Sequence, residues 1–293
     1  MKLRRHLPTW VLCWLLTCWV RSLAAAAPSA TDAALPSRDR FHLFLLIGQS
    51  NMAGRGTVTP DDTNAPPRVL MLSREGRWTP ARDPLHFDKP VAGVGLGRSF
   101  GIAVAAADPG VTVGLIPAAV GGSPIDSWRP GQFYEPTQSH PWDDALERVR
   151  QAMKAGTLKG ILWHQGESDA TPELAPVYAA KLQDLIARIR HELQAPDVPF
   201  LIGQLGQFPD SPWTEATRQV DRAHQDLCRQ IRHTAFVSSA GLSHNGDRIH
   251  FDAPAYREFG RRYAKAYLQR GRRPHPRPAT RGADQPDWGR QTA

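Results

Sequence analysis

Residues 42–52 read His-Leu-Phe-Leu-Leu-Ile-Gly-Gln-Ser-Asn-Met, an apolar run that ends at a glycine and a short polar stretch. A continuous apolar run without alternation is typical of a strand that is covered on both faces, as in a parallel sheet. We therefore predict a β-strand over 42–47. Ser50 follows it directly, at the carboxyl edge of the sheet, where parallel sheets bind their ligands. Taken alone, Ser50 fits a helix N-cap as well as it fits a nucleophile.

The rest of the chain repeats this pattern. Further apolar runs of strand length occupy residues 111–116, 159–164, 198–203 and 234–238, and stretches with helical spacing occupy 94–107, 142–155, 174–193, 212–231 and 254–268. Strands that alternate with helices predict a parallel sheet with right-handed crossover connections. Residues 55–92 are rich in Pro, Asp and Arg, and they predict a long loop with at most one strand, over 68–72.

The two ends of the chain depart from this pattern. Basic residues in 1–5, an apolar run over 10–20 that is too short for a membrane span, and the alanines at 24–27 predict a signal peptide over 1–27. The protein is then secreted or periplasmic, and the alternative is an uncleaved anchor. Residues 271–293 predict a disordered basic tail. One domain, over 40–269, lies between these ends.

The formal net charge of +8 resides in those two ends, and the body of the chain is close to neutral. Because nucleic-acid binding needs basic residues clustered on the folded body, we predict no nucleic-acid partner. We also predict no membrane contact beyond the export signal. Cys228 is the only cysteine outside the signal, so no internal disulfide is expected. The histidines show no metal-ligand spacing, and we predict neither a metal nor a cofactor.

Three more polar stretches stand out. Gly121-Gly-Ser123 follows the strand over 111–116, and its glycines permit a close approach of backbone N–H groups to a reacting oxygen. His164-Gln-Gly-Glu-Ser-Asp169 follows the strand over 159–164. Asp247-Arg-Ile-His250 comes after the last strand, at a spacing that lets a carboxylate orient an imidazole. Separately, the three stretches are also compatible with a turn, a helix start and an unrelated surface pair.

Together, these blocks resemble those of the SGNH hydrolases. More narrowly, Gly48-Gln-Ser-Asn-Met52 and His164-Gln-Gly-Glu167 are similar to carbohydrate esterase family 6 and the sialate O-acetylesterase-like group. The resemblance covers residues 40–269. It implies a three-layer α/β/α sandwich with a five-stranded parallel sheet, of the flavodoxin-like kind.

The resemblance also implies roles for particular residues. Ser50 matches the nucleophile, His250 the general base and Asp247 the acid that orients it. Some members of the group use the glutamate of the His-Gln-Gly-Glu block as the acid, so Glu167 is the alternative. The tight spacing of Asp247 to His250 favours Asp247.

The oxyanion would be held by the backbone N–H groups of Ser50 and Gly122 and by the side chain of Gln165. The activity implied is that of a secreted serine esterase that removes acetyl groups from a polysaccharide such as acetylated xylan, through an acetyl-serine intermediate. The partner is thus an acetylated carbohydrate. The alternatives are a sialate O-acetylesterase, with Arg129 as a candidate for binding an anionic sugar, a lipase-like SGNH enzyme, and a non-catalytic carbohydrate-binding protein.

Overall fold

The computed structural model describes residues 35–269. The predicted signal peptide and basic tail lie outside these residues and stay predictions. The strands of the described part are β1 (Phe41–Gly48), β2 (Val69–Leu72), β3 (Trp78–Pro80), β4 (Thr112–Pro117), β5 (Thr157–His164), β6 (Phe200–Gly203) and β7 (Thr234–Val237). The helices are α1 (Ser50–Ala53), α2 (Leu96–Ala107), α3 (Pro141–Ala152), α4 (Ala175–Glu192), α5 (Glu215–Gln230) and α6 (Ala253–Gln269).

The strands form one sheet in the order β3-β2-β4-β1-β5-β6-β7. All neighbouring pairs are parallel except β2 and β3, which run antiparallel. The predicted α/β fold is confirmed, but the sheet has seven strands and not five. The two additional strands lie in the region 55–92, for which the sequence predicts a loop with at most one strand, over 68–72; β2 corresponds to that strand and β3 is unpredicted. Both are short, and β3 is only partly buried, so neither produces a long apolar run.

Helices cover both faces of the sheet. On β1, Phe41, Leu43, Leu45 and Ile47 point into the core that contains α3, α4 and α5. Phe44 and Leu46, which lie between them, pack in the core that contains α2 and α6. Side chains alternate across a strand, so a strand with a helix layer on each side must be apolar at every position. This requirement explains the uninterrupted apolar run in the sequence. The two helix layers confirm the predicted three-layer α/β/α arrangement.

The ends of β1 and β5 approach each other closely at Gly48. A β-carbon on this residue would lie 2.1 Å from the carbonyl oxygen of His164, and its φ of 129° belongs to the region that favours glycine. The chain then enters α1, whose first residue is Ser50. Gly48 thereby brings the segment after β1 against the segment after β5. No helix within residues 35–269 is both long and apolar enough to cross a membrane.

Candidate active site

A chain of hydrogen bonds links Ser50, His250 and Asp247. Ser50 Oγ lies 2.8 Å from His250 Nε2, and His250 Nδ1 lies 2.5 Å from Asp247 Oδ2. A carboxylate accepts hydrogen bonds, so the ring proton of a neutral imidazole resides on Nδ1 and leaves Nε2 free to accept the serine proton. The serine is 6% exposed, whereas the His250 side chain is 22% exposed. The pair is therefore partly exposed, mainly through the His250 ring.

The segment between β7 and α6 holds His250 in place through a local turn. Asp247 Oδ1 accepts the backbone N–H groups of Ile249 at 2.8 Å and His250 at 2.7 Å, a pattern for which aspartate is favoured in turns. Burial of the Asp247 carboxyl works to raise its pKa. The hydrogen bonds from His250 and Ile249 outweigh burial and lower this pKa below its usual 3.8. The carboxylate is thus kept ionised against the imidazole.

Asn51 joins the serine segment to the histidine segment, a role that the sequence analysis did not assign. Its Nδ2 donates to the carbonyl oxygen of Ile249 at 3.0 Å, and its Oδ1 accepts the backbone N–H of Phe251 at 3.3 Å. These two residues flank His250 on either side. The Tyr256 hydroxyl also donates to Asn51 Oδ1, at 2.6 Å. Asn51 is fully buried and follows Ser50 in the chain, so it links the Ser50 segment to the backbone on either side of His250.

Glu167, the alternative acid, contacts a different partner. Its Oε1 accepts the second hydrogen of Asn51 Nδ2 at 2.6 Å and lies 3.6 Å from His164 Nδ1. Of the two candidate acids, only Asp247 hydrogen-bonds the His250 ring in the structure. Glu167 orients the Asn51 amide, because a carboxylate can only face the NH2 end of that group.

The backbone N–H groups of Ser50 and Gly122 have no hydrogen-bond acceptor in the described part of the chain. Gly122 has a φ of 84°, and its carbonyl oxygen accepts a hydrogen bond from Ser168 at 3.0 Å. The preceding peptide is fixed as well, because the Gly121 N–H donates to Asp88 at 2.8 Å. Two fixed and unpaired N–H groups can hold an oxyanion.

Gln165 does not join them. Its Nε2 donates to the Ser123 carbonyl oxygen at 3.2 Å and to Asp169, and its Oε1 accepts from the Tyr178 hydroxyl at 3.0 Å. The residue is fully buried, and both of its amide hydrogens are used. The expectation that Gln165 donates to an oxyanion is therefore not supported. Its amide instead ties the segment after β5 to the Gly-Gly-Ser turn, a distinction that residue type alone does not reveal.

The other sequence candidates lie in different surroundings. Arg129 is exposed, directly after the turn that ends at Trp128. Within the part of the chain that the structure describes, no group of three or more His, Cys, Asp or Glu side chains is placed to hold a metal ion.

The chain is similar to known proteins in sequence and in fold. The family model described as carbohydrate esterase, sialic acid-specific acetylesterase, matches residues 40–269. A probable carbohydrate esterase of Arabidopsis thaliana is 32% identical over 247 residues, which are 77% of this chain and 90% of that protein. The crystal structure of the same Arabidopsis locus product superimposes with a TM-score of 0.69 at 30% identity and covers 80% of this chain and 99% of that one.

Two more distant structures share the fold. NanS has a TM-score of 0.64 at 20% identity, with 81% of this chain and 99% of that chain covered. A carbohydrate acetylesterase from Xanthomonas citri has a TM-score of 0.61 at 20% identity, with 78% of this chain and 56% of that chain covered. The match over residues 40–269 shows that the chain belongs to the sialic acid-specific acetylesterase family of carbohydrate esterases, with the activity of an acetyl-ester hydrolase.

Proposed function

We propose that this protein is a serine carbohydrate O-acetylesterase in which Ser50 is the nucleophile, His250 the general base and Asp247 the acid that orients the histidine. The observation that carries the proposal is the hydrogen-bonded chain from Ser50 Oγ through His250 to Asp247, at 2.8 and 2.5 Å. A serine hydroxyl is a weak nucleophile until a neighbouring base removes its proton. This arrangement supplies that base in the required tautomer.

In the first half of the reaction, Ser50 Oγ attacks the carbonyl carbon of the acetyl ester while its proton passes to His250 Nε2. The carbonyl π electrons move to oxygen, and the N–H groups of Ser50 and Gly122 receive the oxyanion. As this intermediate collapses, the bond to the sugar oxygen breaks. His250 returns the proton to that oxygen, and the sugar leaves as an alcohol.

In the second half, water takes the place of the sugar. His250 removes a proton from the water, whose oxygen attacks the acetyl carbon of the acetyl-serine. The same two N–H groups hold the second oxyanion. When the bond to Ser50 Oγ breaks, the proton returns to the serine and acetic acid leaves. Two N–H donors of this kind stabilise the transition state by several kcal/mol, since removing a single donor costs about 10²–10³-fold in rate.

The substrate we propose first is a polysaccharide such as acetylated xylan. The enzyme would deacetylate it outside the cell, after export directed by the signal peptide over residues 1–27. A polymer of this size does not enter cells, which is consistent with the predicted signal peptide. N-terminal sequencing of the exported protein tests the export step. A mature chain that begins at Met1 would contradict cleavage of this segment.

The second candidate substrate is an O-acetylated sialic acid, and one feature favours it. A β-carbon on Gly122 would lie 3.0 Å from the Tyr134 hydroxyl and 3.9 Å from Lys89 Nζ. Within residues 35–269, Lys89 forms no ion pair. An unpaired ammonium group beside the reacting centre suits the carboxylate of an acidic sugar. Lys89, and not the exposed Arg129, is thus the cation expected to distinguish an acidic sugar from a neutral one.

Acetate release from acetylated xylan and from an O-acetylated sialic acid, by the wild type and by Ser50→Ala, tests the proposal. We expect release from one substrate, and a fall on the order of 10⁵-fold or more in Ser50→Ala. The fold should persist, because the only side-chain hydrogen bond of Ser50 within the described residues is to His250. Release that survives the substitution would contradict the serine mechanism. Binding of either sugar with no release would indicate the non-catalytic alternative.

A further inference from the structure

One tryptophan near the site differs from the others in its exposure. Trp128 and Trp163 are fully buried and Trp142 is 2% exposed, so these three side chains belong to the core. Trp213 is partly exposed and lies in the segment between β6 and α5. An aromatic ring is largely apolar, and apolar surface that is exposed to solvent near a functional site can bind a ligand.

Trp213 lines a hollow of about 280 Å³ that extends to Ile249, the residue before His250. Glu167, Phe208, Thr217 and Ile249 are among its other walls, and we call this space the Trp213 hollow. Sites for drug-sized ligands occupy about 300–1,000 Å³. The Trp213 hollow is therefore of a size that suits a single sugar ring.

The hollow shares two of its walls with the catalytic machinery. Ile249 precedes His250 in the chain, and its carbonyl oxygen accepts from Asn51. Glu167 accepts the other hydrogen of the Asn51 amide. Asn51 is in turn the neighbour of Ser50. A ligand in the hollow would thus lie against the residues that position both reacting side chains.

Trp213 is held firmly in place. Its Nε1 donates to the Gly206 carbonyl oxygen at 2.6 Å, and its own carbonyl oxygen accepts from Arg218 at 2.7 Å. Phe208, in the same segment, packs edge-on against Phe251 at a centroid distance of 5.6 Å. A platform that is already ordered loses little conformational entropy when a ligand binds.

The chemistry of the walls matches a pyranose ring. Such a ring has an apolar C–H face, which suits the aromatic face of Trp213, and an edge of hydroxyl groups, which suits the Thr217 hydroxyl. Arg248 also lines the hollow, but its charge is compensated by Asp210 at 3.1 Å. We propose that the Trp213 hollow is a sugar subsite in which Trp213 stacks on a ring of the acetylated substrate. This inference rests on the proposed function.

The test compares an acetylated sugar with ethyl acetate, an acetyl ester without a ring. For Trp213→Ala, we expect kcat/KM for acetylated xylooligosaccharide or O-acetylated sialic acid to fall about tenfold more than kcat/KM for ethyl acetate, mostly through KM. Trp213→Leu keeps an apolar side chain without an aromatic face and should show the same loss. Trp213→Phe keeps an aromatic face and should recover most of the activity.

Trp78→Ala is the matched control, because Trp78 is a partly buried tryptophan in β3, at the far edge of the sheet. It should lower the rates for sugar and ethyl acetate by the same factor. Equal losses for the two esters in Trp213→Ala and Trp213→Leu would overturn the subsite, as would no loss at all, and both results leave the proposed function standing. A wild type that cleaves ethyl acetate and no acetylated sugar would overturn the proposed function together with the subsite.

Discussion

Two histidine–carboxylate pairs meet at this site with the same spacing of three residues. In one pair, His250 Nδ1 lies 2.5 Å from Asp247, the ring is partly exposed, and Nε2 contacts Ser50. In the other, His164 Nδ1 lies 3.6 Å from Glu167, and the ring is fully buried. Its Nε2 lies 3.0 Å from the carbonyl oxygen of Gln204.

The difference lies in where each ring can place its proton. A carbonyl oxygen can only accept, so neutral His164 carries its proton on Nε2 and turns the bare Nδ1 toward the Glu167 carboxylate. Within the described residues, that nitrogen has no hydrogen-bond partner. Burial lowers the pKa of His164, although Glu167 and the Gln204 carbonyl oppose the shift. The same spacing therefore gives two different pairs. The Asp247–His250 pair is suited to base catalysis, and the His164–Glu167 pair is suited to holding neighbouring groups in place.

The largest expected difference in kcat is between variants of the two carboxylates, Asp247 and Glu167. Asp247→Asn should lower kcat by roughly 10²–10⁴-fold, because the amide can no longer hold the His250 ring in its reactive tautomer. Glu167→Gln should lower kcat by about tenfold, since it acts on His250 indirectly, through the Asn51 amide. Steady-state kinetics on an acetyl ester measures both. If Glu167→Gln were the more damaging change, the assignment of Asp247 as the acid would be wrong.

The next largest effect on kcat is expected at Asn51, which contacts both Glu167 and the segment that carries His250. Asn51→Ala removes the hydrogen bonds to Ile249, Phe251 and Tyr256 and frees the His250 segment. A displacement of about 1 Å in a reacting group can cost 10²-fold, so we expect kcat to fall by about that factor with a smaller change in KM. Asn64→Ala, in an exposed loop, is the control.

Thermal unfolding should accompany that measurement. The unpaired buried groups left by Asn51→Ala cost about 1–3 kcal/mol each before relaxation, so a lower Tm is expected. An Asn51→Ala protein with a lowered Tm and an unchanged kcat would show that Asn51 supports the fold without positioning His250.

The smallest effect is a pH dependence of stability. In the folded protein the pKa of His164 lies below 6.5, whereas the unfolded chain keeps the ordinary value. As the pH falls below about 6.5, the unfolded chain binds a proton that the folded protein does not, and the free energy of unfolding decreases. His164→Gln lacks this contribution. The stability of the wild type relative to this variant should therefore fall between pH 7.5 and 5.5, by about 1.4 kcal/mol at most, measured by urea unfolding.

A stability difference that stays constant over this pH range would mean that His164 is not held neutral in the folded protein. In that case the comparison of the two pairs would lose its physical basis. A difference that grows toward acidic pH would indicate an ionised His164 paired with Glu167.

Much of the fold could be predicted from local pattern. The runs that became β1, β4, β5, β6 and β7 are apolar because helices cover both faces of the sheet, and the helical spacing located α2 to α6 within a few residues. The strand β3 could not be predicted in this way. It is three residues long and partly exposed, and it exists because β2 offers it an antiparallel edge.

For the site, the sequence alone determined which chemical groups are present and that most of them follow strands. The spacing of Asp247 and His250 pointed correctly to a contact between them, because a single turn spans three residues. The tertiary structure decided the rest. It paired the Gln165 amide with Asp169, paired Glu167 with Asn51, and placed Trp213 and Ile249 in the walls of one hollow. Those outcomes depend on the direction in which a side chain points and on its competing partners, and both are set by segments distant in the chain.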